Sequence, residues 1–384
     1  MNRNKLFYYS SSKTQNQVEL YKDPGEIPHY FNKLFGYDAI IDDYYDLSYN
    51  YDQFHNVTLL KPFSHIKCIN FIAKLLRLFV HARKIDILYL LQITPDSMFK
   101  MLAYRLGGGR GKIYLKLDLG LYSKNGKDLL KWENMSLFLK IVHFLFKPLP
   151  DVYTVETKEA YKRLSESYYS DLVGAKLFLL PNGIDHNHID ELSVIRRDLA
   201  SKEKIIMTVG RIGDYLKNTE LLLDILERVT LGDWKVYIIG PIDPSFYQKI
   251  DDFYNKNPHL IESVVFTGNI SDKKSLYEYY NKSRVFIFTS RYESYAFSLV
   301  EAAYMNNFIL TTPVGIAPEL VNDKNGVLIN DNLSLSFSKE LQRIVELSDN
   351  ELNSLISDDF DMHKFTWENI LQNNLAVKYL ISGN

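Results

Sequence analysis

Short apolar runs alternate with longer stretches of helical spacing along this chain, and the alternation restarts once. Runs suited to strands fall at residues 5–9, 38–42, 56–60, 86–92, 112–116, 152–155 and 176–180. A second set falls at 204–209, 235–239, 263–267, 285–289, 309–311 and 326–329. Helical spacing fills most gaps, at 23–34, 66–83, 96–106, 132–146 and 158–168, then at 219–229, 245–255, 273–280, 297–305 and 334–347. A polar stretch after the first strand, to residue 17, reads as loop, and 367–381 reads as one amphipathic helix.

Strands that alternate with helices predict largely parallel sheets covered on both faces. The restart makes this an α/β chain of two Rossmann-like, doubly wound domains. The turn cluster Pro181-Asn182-Gly183-Ile184-Asp185 marks the boundary, giving domains at 1–184 and 185–365 and a terminal helix at 366–384.

Composition changes this picture little. With 384 residues and 46% hydrophobic content the chain is long enough for two cores. A net charge of -2 excludes a polycation built to grip nucleic acid. The halves differ: residues 1–184 hold 25 Lys/Arg against 18 Asp/Glu, and the remainder holds 20 against 29. The first half is therefore the side expected to face an anionic surface or acceptor. The single cysteine, Cys68, rules out an internal disulfide and is expected to be a small buried hydrophobe. No secretory signal opens the sequence and no apolar run is long enough to span a bilayer, so a cytoplasmic protein is expected.

Candidate chemistry concentrates in residues 285–301, VFIFTSRYESYAFSLVE. Here the period changes from strand to helix, with Glu293 in the intervening loop and Glu301 eight residues later in the helix. A helix start offers unpaired N–H groups and partial positive charge, which favour a phosphate. Carboxylates beside it suit sugar hydroxyls, so the unit fits a nucleotide sugar; by spacing alone it also fits an ordinary strand–helix unit with surface acids. After the strand at 204–209 come Gly210, Arg211 and, six residues on, Lys217. The glycine allows a tight turn at a sheet's carboxyl edge, and the two cations match a diphosphate.

These residues, with PNGID (181–185), TGNI (267–270), ESYAFSLVEAA (293–303), TTPVGIAPELV (311–321) and NGVLI (325–329), resemble the GT-B nucleotide-sugar glycosyltransferases of family 4, the retaining group 1 transferases. The resemblance covers most of residues 181–330 in the family's order. It implies two domains facing across a cleft, a last helix that crosses back to the first domain, and a nucleotide-sugar donor, expected to be a UDP-sugar, used without metal or cofactor. It implies that Arg211 and Lys217 hold the donor diphosphate and that Glu293 holds donor-sugar hydroxyls. Glu301 would accept from the ribose, and the backbone at Ala296, Phe297 and Ser298 would meet the phosphates. Asn269 and Ile270 would line the nucleobase.

Two departures qualify the match. The family's glycines after the first Glu are Ser294 and Ala296 here, and its Gly-Gly loop in the first domain is missing, with Gly25 the substitute candidate for approaching the donor. Asp118 stands near where the family often has a reactive-centre His and is a candidate to orient the acceptor hydroxyl. The acceptor expected from family habit is a glycan, free or lipid-linked, in bacterial cell-surface polysaccharide assembly. A catalytically silent paralogue and a nucleotide-sugar epimerase on the same fold stay open.

Other signals carry less. Asp359-Phe360-Asp361 spells D-x-D but lies in an acidic loop, Gly107-Gly108-Gly109 lacks a phosphate-loop ending, and the nine His form no metal-binding spacing. Residues 61–84 hold six Lys/Arg and no Asp/Glu among many apolar residues. Such a segment is either a core helix with a basic edge or one that lies in an anionic membrane interface.

Overall fold

The computed structural model describes residues 5–15, 17–44, 53–64, 66–118, 148–167, 169–331, 333–356 and 360–382. These divide into two compact units, one built from residues up to 185 together with 365–382, the other from 186–364.

The first unit is an eight-stranded sheet. Its strands are β1 (Leu6–Gln15), β2 (Asp38–Tyr44), β3 (Gln53–Phe54), β4 (Val57–Leu60), β5 (Ile87–Leu91), β6 (Lys112–Lys116), β7 (Val152–Val155) and β8 (Leu177–Leu179), in the order β3-β4-β2-β1-β5-β6-β7-β8. All pairs are parallel except the β3–β4 hairpin. β7 is buried along its whole length and β5 nearly so, as expected where helices cover both faces. Aromatic residues fill this core: Tyr89 stacks on Tyr114 with centroids 4.9 Å apart, and Phe7 meets Phe31 at 4.4 Å.

The second unit is a six-stranded sheet of β9 (Glu203–Val209), β10 (Lys235–Ile239), β11 (Val264–Gly268), β12 (Ser283–Phe288), β13 (Phe308–Thr311) and β14 (Gly326–Leu328), ordered β11-β10-β9-β12-β13-β14 and parallel throughout. Trp234, Phe337, Leu341 and Ile344 pack with Val236 and Ile287 in one apolar cluster. Burial of each such side chain stabilises the fold by about 1.5–3 kcal/mol.

Several elements depart from the sequence reading. β1 runs on to Gln15 because its backbone continues to pair with β2 after a register shift. A hairpin precedes β4, turned at His55, whose backbone is left-handed. The final helix is two, Trp367–Asn373 and Leu375–Ile381: Asn374 is extended, and its side chain accepts from Ala376 N to start the second. These helices pack within the first unit, where Asn374 Nδ2 donates to Leu179 O at 2.8 Å. Cys68 is exposed, because the helix carrying it turns that face outward. The expected helix at 132–146 and Asp359 lie outside the described residues. Asp361 accepts from His363 N and shapes a local turn.

Candidate functional site

Strand order locates the crevice of the second sheet. The chain steps outward from β9 through β10 to β11, then returns to β9's other side for β12, β13 and β14. Ligands of open α/β sheets bind at such a switch point, outside the carboxyl ends of the strands. The ends in question are those of β9 and β12, and they carry Gly210 to Lys217 and Thr289 to Glu293.

Lys217 and Glu293 meet there. Lys217 Nζ donates to Glu293 Oε1 at 2.6 Å and sits 5.5 Å from the centre of the Phe288 ring. An ammonium has three donors, so Glu293 occupies one of them. The loop bearing Lys217 is tied to β12's exit by Arg291 N to Leu216 O at 2.8 Å and Thr289 Oγ1 to Asn218 O at 3.2 Å. Gly210 is not left-handed; its missing side chain leaves room for the Lys217 stem, whose Cδ would lie 3.4 Å from a Cβ there. A void of about 20 Å³, lined by Gly210, Lys217, Thr289 and Ser290 among others, lies against these residues. The Ser290 hydroxyl is buried without a hydrogen-bond partner.

Arg211 is placed differently. Its Nη2 pairs with Asp214 Oδ2 at 2.9 Å and 61% of its side chain is exposed. Asp214, which also accepts from Leu216 N at 2.8 Å, was missed in the sequence, although its position three residues after Arg211 is a readable signal.

The helix Phe297–Tyr304 starts with no side-chain cap. Its first turn therefore keeps donors available, at Phe297 and Ser298, both only partly buried. Ala296 before it has φ 76°, the left-handed conformation that explains why glycine is the family's usual choice. Gly315 approaches this loop closely: a Cβ there would lie 2.4 Å from Tyr295 O. Within the helix, Glu301 accepts from Tyr277 Oη at 3.2 Å, Tyr280 Oη at 3.1 Å and Lys273 Nζ at 3.5 Å. Burial and then Glu301 hold Tyr280 well above the usual phenol range, so it donates. These partners lie 21 to 28 residues from Glu301, with no motif to announce them. Asn269 is exposed and Ile270 half-buried just after β11.

The first unit gathers a second set of groups at the carboxyl ends of β6 and β7. Lys116 Nζ lies 3.3 Å from Glu156 Oε1, and Asn182 Nδ2 donates to the same oxygen at 2.6 Å. Burial pushes Asp23 up to about 6, against the pull of Lys116. Burial likewise raises Glu156, while burial of Lys116 is outweighed by Glu156 and Asp23. Asp118 is exposed beside them and raises both carboxyls. The sequence pointed to Asp118 and to the PNGID turn, but not to Lys116, the last residue of β6, or Glu156, the first after β7. Gly25 is corrected: it is buried inside the helix Asp23–Phe35, where a Cβ would lie 2.1 Å from Leu20 O. Packing explains it, and it presents no surface for a donor.

Among the described residues one group of metal-capable side chains occurs, with atoms of Glu26, His55 and Asp185 within 4.8 Å of one another. Asp185 Oδ1 also accepts from Tyr30 Oη at 2.9 Å, and the adjacent His29 is lowered to about 4 by burial. No sequence spacing links these positions.

Residues 203–347 match the family described as glycosyl transferases group 1. The chain is 28% identical to the amylovoran biosynthesis glycosyltransferase AmsD of Erwinia amylovora over 171 residues, 44% of this chain and 46% of the relative, so the match spans under half of that protein. Among solved structures, a glycosyltransferase from Rickettsia africae superposes with a TM-score of 0.70 at 14% identity, covering 100% of both chains. Anabaena HepE, in complex with UDP and glucose, gives 0.64 at 15% identity over 93% of this chain and 96% of that one. Shared architecture over the full length and the signature carried by the second sheet lead to one statement: the chain has the GT-B fold, and residues 203–347 of its second unit match the group 1 glycosyltransferases.

Proposed function

We propose that the protein is a retaining glycosyltransferase that moves a sugar from a nucleotide-diphosphate sugar, a UDP-sugar, to a hydroxyl of a glycan or lipid-linked glycan in bacterial cell-surface polysaccharide assembly. The observation that carries this reading is the contact of Lys217 with Glu293 at the β9–β12 switch point, beside an uncapped helix start. Relatives point the same way: AmsD is named for amylovoran biosynthesis, and HepE was solved with UDP and glucose.

In the proposed reaction the bond from the anomeric carbon to the diphosphate oxygen breaks, and its electron pair leaves with the diphosphate. Lys217, Arg211 and the N–H groups at Phe297 and Ser298 stabilise that growing charge. Glu293 takes hydroxyls of the sugar, Glu301 those of the ribose, and Asn269 and Ile270 border the base. A bond forms from the acceptor oxygen to the anomeric carbon, and Asp118 orients the hydroxyl and accepts its proton. Retention follows the family. Metal is not required in this scheme, so a chelator leaves the rate unchanged. A cytoplasmic location belongs to the same proposal.

The test is a melting-point screen against UDP-, GDP- and ADP-sugars, followed by transfer with the donor that binds. A rise with one donor and acceptor-dependent release of the diphosphate are expected. No melting shift with any donor sinks the reading. Donor conversion without acceptor identifies an epimerase, and binding without turnover a silent paralogue.

A further inference from the structure

The helix Lys67–His81 buries Leu78 on its inner face and yet carries a second apolar stripe on its outer one. Its outward stripe is Ile69, Ile72, Leu76, Phe79 and Val80, with Val80 70% exposed, while Lys74 on the opposite face is 6% exposed and Arg77 is bound to Asp42. The spacing is that of one helical face, and leaving such a stripe in water is unfavourable. The neighbouring helix Pro95–Leu106 repeats the pattern: Phe99, Leu102 and Leu106 face out, and Lys100 is fully buried and paired with Asp96 Oδ2 at 2.6 Å. Phe71 and Phe99 join the two helices at 6.2 Å. Ten of the nineteen exposed large hydrophobics among the described residues lie between Phe63 and Leu106, which makes this one patch rather than scatter.

The patch ends at a basic cavity. A Cβ on Gly107 would lie 2.2 Å from Phe79 O, so the carboxyl ends of the two helices touch. Immediately beyond, a cavity of about 640 Å³ is lined by Lys5, Arg83, Arg110 and Lys112, with Asp86 the one acid. Asp86 Oδ2 already accepts from Leu6 N at 2.8 Å. Lys61, Lys67 and Lys84 are exposed along the same segment, and no Asp or Glu occurs between residues 61 and 84.

We propose that this two-helix face docks on a bilayer containing anionic phospholipid, with the apolar stripes at the acyl boundary and lipid phosphates drawn to the basic cavity. Charge complementarity selects this occupant: an apolar face bordered by cations and free of acids in its first helix matches an anionic interface. The inference stands apart from the donor site and is read without donor or acceptor.

Co-sedimentation of the full chain with vesicles tests it. Vesicles of equal phosphatidylglycerol and phosphatidylcholine should bind at least about tenfold more strongly than phosphatidylcholine alone, less so at high salt. Leu76→Glu with Val80→Glu, both on exposed positions, should lower binding by about tenfold or more with an unchanged melting point. Arg83→Gln with Arg110→Gln should weaken binding to the anionic vesicles and leave the phosphatidylcholine level unchanged. Equal binding to both vesicle types, no binding to either, or wild-type binding by the glutamate variant overturns the proposal. So does a concentration-dependent dimer abolished by the same glutamates, which would make a second copy the occupant.

Discussion

The two sheets end in carboxyl edges of similar construction, and they treat charge in opposite ways. At the second sheet, Lys217 and Glu293 keep 22% and 13% of their side-chain surface in contact with solvent. At the first, Lys116 and Glu156 keep 0% and 4%. A partly solvated pair can exchange its partners for a ligand at small cost, whereas a buried pair is committed to its fold. One edge is thus free to exchange its ion pair for a ligand, and the other is held together while an exposed acid, Asp118, stands beside it.

The sharpest way to break this contrast is to remove one member of the buried pair. Lys116→Met keeps the stem but leaves Glu156 with Asn182 alone, and should cost about 3–5 kcal/mol of stability. Adding Glu156→Gln should return part of that loss, because the uncompensated charge is gone. Urea midpoints of the single and double variants measure it. A single variant as stable as the parent would mean the pair is wetter than its exposure implies.

The second edge should answer in rate instead. Lys217→Ala should cut transfer on the order of a hundredfold to a thousandfold, about 3–4 kcal/mol in the transition state, with the melting point nearly unchanged. Full turnover in that variant would remove Lys217 from the leaving-group site. A large fall in melting point would place both edges in the same class.

The asymmetry also explains what was legible in the sequence. The site of the second unit rests on local signals: Gly210, Arg211 and Lys217 follow one strand, and Glu293 to Glu301 span one strand–helix junction, so periodicity and motif order exposed both. Most strands were readable because a parallel sheet covered on both faces writes apolar runs, as β12 does over its six buried residues. What stayed hidden depends on distance along the chain. Tyr277 and Tyr280 reach Glu301 only through packing, and Lys116 and Glu156, 40 residues apart, stand at the ends of two apolar strands, the one closing β6 and the other following β7. The break at Asn374 was missed for a different reason: apolar spacing continues across it, and only the cap geometry reveals two helices.

Asp23 gives the contrast a pH dependence. Its carboxyl is raised from 3.8 to about 6 by burial, with Lys116 opposing and Asp118, then Lys22 and Glu19, acting more weakly. A raised acid favours the protonated folded state, so its contribution is fully present below pH 3.8 and is lost as pH rises through about 6. At neutral pH the loss is on the order of 2–3 kcal/mol. Asp23→Asn should therefore flatten the decline in melting point between about pH 4 and 6 and leave the protein more stable than the parent at pH 7. An unchanged slope would show that Asp23 is not desolvated.

The smallest effect lies at the second edge, where the loop before Phe297 is strained. Ala296 holds φ 76° and ψ 68°, a conformation that costs an L-residue about 1–2 kcal/mol and glycine almost nothing. Glycine in turn loses about 0.5–1 kcal/mol more entropy on folding than alanine. The difference predicts that Ala296→Gly stabilises by up to about 1 kcal/mol, read from the denaturation midpoint, without weakening donor binding. The sign matters more than the size. If glycine destabilises, residue 296 is not left-handed in solution, Tyr295 O need not face Gly315, and the chain enters the helix at Phe297 by another path.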